Sequence, residues 1–126
     1  MENTAVVISG LIKKLIPDKE GCVLVAGIGN EDIISDAIGP RTASGVIATR
    51  HIKKLDRRLC SSLGLSEVVV VQTGVMGTTG FESAEIISAL VDMIKPKCVI
   101  AVDSLASRRL SRLATTVQIS TGGISP

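Results

Sequence analysis

Residues 23–46 read VLVAGIGNEDIISDAIGPRTASGV. The apolar run from Cys22 to Ile28 has no alternation, the pattern of a strand covered on both faces. It ends on Gly27-Ile28-Gly29-Asn30, passes Glu31 and Asp32, and delivers Asp36 just ahead of Ile38, Gly39 and Pro40. Pro40 suits a first helical turn because its φ is already set. Helical spacing then runs from Ile38 or Pro40 to about Leu55, and RHIKKLDRRL extends it with charge. A glycine turn after a buried strand invites a phosphate, but the dinucleotide pattern Gly-x-Gly-x-x-Gly needs glycine where Asp32 stands. With Glu31 beside it, that turn repels a pyrophosphate. There is no Gly-Lys-Ser/Thr either. Gly29 and Asn30 are read instead as a sharp turn off the strand.

Outward from that unit, residues 5–16 show mixed helical periodicity and close at Pro17-Asp18. EVVVVQT, from Glu67 to Thr73, is a second β-branched strand. GVMGTTGFE is a glycine-punctuated loop, and SAEIISALVDMIK is a helix ending near Lys95-Pro96. Thr79 with Glu82 three residues on fits a capping box. Cys98 to Val102 is a third strand that ends on Asp103, and TTVQIS, Thr115 to Ser120, is a fourth at an edge. Strands alternating with helices predict an α/β domain with a mostly parallel sheet and right-handed crossovers. The chain closes at STGGISP with no helix to cover the last strand, so residues 1–126 are read as one α/β domain truncated at its C-terminus.

Composition narrows the classes. The 126 residues are 45% hydrophobic but 1% aromatic, with Phe81 alone, so the core is aliphatic. A net charge of +2 gives no argument for direct nucleic-acid contact. No apolar run approaches the roughly 18 residues of a membrane span. Cys22, Cys60 and Cys98 lack metal spacing and are read as reduced core thiols of a cytosolic protein. His51 is the only histidine and sits in a charged helical stretch with no nucleophile matched to it. Arg57-Arg58 and Arg108-Arg109 with Arg112 read as solvated faces.

In open α/β sheets, reacting groups collect at the carboxyl ends of strands. Asp36 follows strand one and Asp103 ends strand three, so neighbouring strands would bring the two into one crevice. Two carboxyls in one site do not both ionise easily. The ionised one activates water and the protonated one polarises a carbonyl, or the pair holds a divalent cation. The plainer uses are an N-cap for Asp36 and a turn or cap for Asp103.

The segments SDAIGPR, TGVMGTTGFESAEII, IAVDSLASRRLSRLATTVQIS and the terminal GGISP resemble the germination protease family of spore-forming Firmicutes, over roughly Val23 to Pro126. The resemblance implies an atypical aspartic endopeptidase with a hydrogenase maturation endopeptidase-like fold, a three-layer α/β sandwich with a mostly parallel sheet. In maturation endopeptidases two acidic residues near strand ends engage a metal. The family resemblance also implies small acid-soluble spore proteins as substrate, cleaved at germination in the spore-core cytoplasm, and a zymogen stage. It further implies a tetramer, without cofactor or membrane. By position, Asp36 matches the aspartate of Asp-Ala-Leu-Gly-Pro and Asp103 that of Asp-x-Leu-Ala-Ser, making them the acid and base pair. Gly29, Asn30, Gly74, Gly77 and Gly80 are expected to shape the site, with Met76 or Phe81 lining it. The chain departs from the family pattern at Ser35 (usually Pro), Glu31 (usually Trp) and Ser125 (usually His). Two other readings keep the fold: a metal-binding maturation-type peptidase with Asp36 and Asp103 as ligands, and an inactive short homologue serving as a binding module.

Overall fold

A computed structural model of the chain describes residues 2–105, 117–121 and 123. In chain order the elements are α1 (Glu2–Leu15), β1 (Val23–Ile28), a 3-10 turn (Ile34–Asp36), α2 (Ile38–Ser44), α3 (Arg50–Leu55) and α4 (Arg57–Ser62). Then come β2 (Val68–Gly74), α5 (Met76–Thr79), α6 (Ser83–Ile94) and β3 (Cys98–Val102). The strands form a parallel sheet in the order β2-β1-β3. The apolar run that opens the reading is therefore the central strand, and Leu24 and Ala26 within it are fully buried. The chain crosses from β1 to β2 on one side and from β2 back over β1 to β3 on the other. Right-handed crossovers in opposite directions place α2 and α6 on opposite faces, and α2 packs on all three strands while α6 packs on β2 and β1. The fold is α/β in three layers, as expected.

The single helix expected to run to Leu55 and beyond is instead three short ones. Gly45 caps α2, and the β-branched Val46, Ile47 and Thr49 disfavour helix after it. Thr49 is buried and is tied to the start of β2: its Oγ1 accepts from Val68 N at 2.8 Å and donates to Ser66 O. Its N–H donates to Val68 O at 2.9 Å. That anchoring outweighs continued helix. Asp56 then starts α4, its Oδ1 accepting from Leu59 N at 3.0 Å.

Two smaller expectations also change. The capping box belongs to Glu82 and Glu85, one turn later than the Thr79–Glu82 pair. Thr79 is used inside the preceding turn, where its Oγ1 accepts from Phe81 N at 3.1 Å. The loop before α6 contains the short α5, which ends at Gly80. Of the expected fourth strand, Thr115 and Thr116 lie outside the described residues, and Val117 to Ser120 join no sheet. The described sheet has three strands. Arg108, Arg109 and Arg112 also lie outside the described residues, whereas Arg57 and Arg58 are exposed as expected.

The cysteines are free, with Cys22 and Cys60 buried and Cys98 half-buried. Burial pushes the Cys22 thiol above its ordinary value, with the Glu67 carboxylate adding to the rise. Burial also raises Cys98, against the pull of Lys97. The folded chain thus holds both protons to higher pH than the unfolded chain does. This contribution is fully present below the ordinary thiol value of about 8.5 and is lost as pH rises towards the folded values. Thermal unfolding followed from about pH 7.5 to about pH 10 is expected to show Tm falling above about pH 8.5. A Cys22→Ala, Cys98→Ala variant is expected to show a shallower fall.

Candidate active site

At the carboxyl end of β1 the chain leaves the sheet through Gly29, whose φ is 129°. A Cβ there would overlap Asp36 O and lie 3.0 Å from Asp36 Oδ1. The bare glycine lets the segment Glu31–Ser35 loop out and bring Asp36 back against the strand end. Asn30 N then donates to Asp36 Oδ2 at 2.8 Å, and Asn30 Oδ1 accepts from Asp32 N at 2.9 Å to close the intervening turn. Asp36 is half-buried and does not cap α2. The N-cap position belongs to Ala37, which makes no side-chain cap. The carboxylate is therefore held by the glycine-asparagine turn and turned away from helix duty. Around it, Ile33, Ile34 and Ile38 are exposed.

Three residues after Asp36, Gly39 is buried where α2 meets the sheet. A Cβ on it would overlap Ile28 O and lie 2.6 Å from both Ile28 N and Val102 O. The first turn of α2 is thereby wedged over the ends of β1 and β3. Asp103 immediately follows Val102, and β3 pairs directly with β1 through Gly27 and Val102. The condition set by the sequence, that strands one and three be neighbours, is met, and both aspartates stand at the same edge of the sheet. Asp103 Oδ1 accepts from Ser104 N at 2.8 Å, a local turn bond. Beside it the Ser104 hydroxyl is buried without a hydrogen-bond partner among the described residues.

The other expected residues divide. Gly29, Asn30 and Gly74 line a pocket of about 190 Å³ at the carboxyl ends of β1 and β2, which Glu31 and Asp32 also border. Its shape follows from a register shift, in which Gly27 pairs with Gln72 but Ile28 pairs with Gly74. The extra residue, Thr73, turns inward and meets Ser83 Oγ at 2.7 Å. Such bulges re-aim the neighbouring side chain, here Gln72, which lines the pocket. Gln72 was missed by the sequence analysis; its signal is that it is the one long polar residue in VVVVQTG, a break in an apolar strand. Met76, Gly77 and Gly80 are not among the lining residues. Met76 and Phe81 are 59% and 56% exposed, so neither fills the core. Asp36 and Asp103 also lie outside the pocket lining.

Among the described residues no three His, Cys, Asp or Glu side chains gather in a metal-binding group, and His51 is exposed on α3. Among the described residues, Asp36 and Asp103 thus lack the third protein donor that a zinc-type site uses.

The profile described as Germination protease matches residues 2–126. The chain belongs to the germination protease family. It is similar to the germination protease of Caldanaerobacter subterraneus subsp. tengcongensis, at 45% identity over 126 residues, covering 99% of this chain and 39% of that relative. Against a germination protease of Clostridium perfringens the identity is 41% over 127 residues, covering 100% and 39%. Against one from Oceanobacillus iheyensis it is 42% over 116 residues, covering 92% and 31%. The chain spans well under half the length of these relatives. Members of the family are named as proteases, so the chain carries a peptidase-family domain. Among the described residues no helix is long and apolar enough to cross a membrane.

Proposed function

We propose that this domain carries the hydrolytic site of an aspartic-type endopeptidase that degrades small acid-soluble spore proteins at germination, with Asp36 and Asp103 as the acid and base pair. The observation that carries the proposal is the wedge of Gly39 against Ile28 and Val102, which brings the segments bearing both aspartates to one sheet edge. Family membership supports peptide-bond hydrolysis as the reaction. The ionised carboxylate takes a proton from water as its oxygen attacks the scissile carbonyl carbon. The protonated carboxyl donates to the carbonyl oxygen, where negative charge develops. Collapse of the tetrahedral adduct breaks the C–N bond, and the leaving amine takes a proton from the carboxyl that received it. The Asn30 N–H fixes one oxygen of Asp36 and leaves the other, beside Gly29, without a hydrogen bond among the described residues. The exposed Ile33, Ile34 and Ile38 offer apolar surface beside the reacting group for an extended substrate.

The spore core is the compartment this substrate requires, and assembly into a tetramer completes the proposal. The test is incubation of the chain with a purified small acid-soluble spore protein, followed by mass spectrometry. Discrete fragments from internal cleavage are expected. An intact substrate after incubation, both with this chain and with a version extended to the length of its relatives, would contradict the proposal.

A further inference from the structure

In the sheet order β2-β1-β3, the outer side of β2 pairs with no strand among the described residues. Along an extended strand, each residue turns its N–H and C=O to one side, and the next turns both to the other. Val23 N donates to Glu67 O at 2.9 Å, so Glu67 turns towards β1 and Val68 turns outward. Thr49 meets Val68 there: its N–H donates to Val68 O at 2.9 Å, and its Oγ1 accepts from Val68 N at 2.8 Å. The same alternation turns Val70 and Gln72 outward. Their outward groups have no hydrogen-bond partner among the described residues.

Thr49 thus closes the edge at its amino end, and the open part runs towards the carboxyl end, where Asp36 stands. Exposed sheet edges are ordinarily guarded by lysine, proline or a bulge. VVVVQTG holds no charged residue and no proline, and its register shift lies beyond the open part, where Ile28 pairs with Gly74. Gln72 is exposed. Gln72 and Gly74 line the same pocket as Asn30, whose N–H holds Asp36. The open edge is therefore continuous with the candidate site.

We propose that this open edge seats the substrate as an added strand, in which Val70 and Gln72 exchange backbone hydrogen bonds with two residues of the bound chain that lie two apart. The inference rests on the endopeptidase reading above and names the way its substrate is held. An antiparallel strand lets Val70 and Gln72 each use both N–H and C=O on one residue. Main-chain bonds supply affinity in this mode, and side chains choose the sequence. Asp36 is held at the end of β1, two strand spacings from the added chain, or about 10 Å. About three residues of extended chain cover that span. The docked segment therefore lies on the C-terminal side of the scissile bond, about three residues beyond it. A second copy of this chain has only the same two residues to offer, whereas a substrate strand continues from them to the aspartates.

Two readouts on the whole chain test it. The first is amide hydrogen exchange in the Asp36→Asn variant, with and without an intact small acid-soluble spore protein. At a spore-protein concentration about ten times Kd, exchange at Val70 and Gln72 is expected to slow about tenfold. Val69 and Val71, already turned towards β1, are expected to stay unchanged. The second is the wild-type cleavage rate of a synthetic peptide spanning the cut, N-methylated at one residue at a time. Methylation of either docked residue is expected to lower kcat/KM about fivefold, and methylation of the residue between them to change it little. Cleavage without the protection, or without the alternation, overturns the added strand and leaves the peptidase reading intact. Protection without cleavage overturns the peptidase reading and leaves the edge as a seat for an extended chain. Absence of both overturns both. Protection of Val70 and Gln72 before any spore protein is added, rising with protein concentration, assigns the edge to a second copy and overturns the proposal.

Discussion

Gly39→Ala is expected to destabilise the domain by about 3 kcal/mol or more and to lower Tm by on the order of 10 °C. A methyl group at this position collides with backbone on two strands at once, overlapping Ile28 O and pressing on Ile28 N and Val102 O. Backbone cannot rotate aside as a flexible side chain would, so relief requires lifting α2 off the sheet. Lifting it uncovers Ala43, which the same helix buries against Gly27 of β1, and pulls Asp36 from the strand end. Circular dichroism melting would read the loss directly. A contrasting substitution is Gly77→Ala, where the added methyl meets nothing and little change in Tm is expected. Equal Tm values for Gly39→Ala and the wild type would mean that α2 does not seat against β1 and β3 as described.

Asp36→Asn is expected to leave the fold nearly untouched and to reduce cleavage by about 10³-fold or more. The amide side chain keeps an acceptor oxygen for Asn30 N, so the turn that presents it is retained and Tm should stay within a few degrees. What disappears is the ability to exchange a proton with water or the peptide. The combination of an unchanged melt with lost cleavage separates a chemical role from a structural one. Cleavage retained above about a tenth of the wild-type rate would remove Asp36 from the chemistry.

The central elements were legible because their signals are local. The apolar run at β1, the β-branched run at β2 and the bounds of β3, which the sequence places at Cys98 to Val102, depend on side-chain patterns within a few residues. The placement of Asp36 and Asp103 at strand ends followed from those strands and from topology rules. The long second helix was misread because its breaks come from tertiary bonds. Thr49 pairs with Ser66 and Val68, 17 and 19 residues away, and periodicity in a window carries no trace of them. The capping box slipped by one turn because Thr79, Glu82 and Glu85 all fit the same short pattern, and Thr79 is already engaged with Phe81. The pocket was hidden for a third reason: it depends on the register shift between β1 and β2, a two-strand property. Glu31 and Asp32 were visible as acids unsuited to a phosphate, but their place in the pocket lining needed the turn to be closed by Asn30.

The claim on which the account stands is that Asp36 and Asp103 act as one unit. The most direct measurement is a cycle of cleavage rates for wild type, Asp36→Asn, Asp103→Asn and the double variant, with the same spore-protein substrate. Groups that share one proton in one reaction fail together, so each single variant should lose about 10³-fold and the double variant should be no more than about tenfold slower than either. Wild-type cleavage by either single variant would contradict the account, and so would losses that multiply in the double variant as independent sites do.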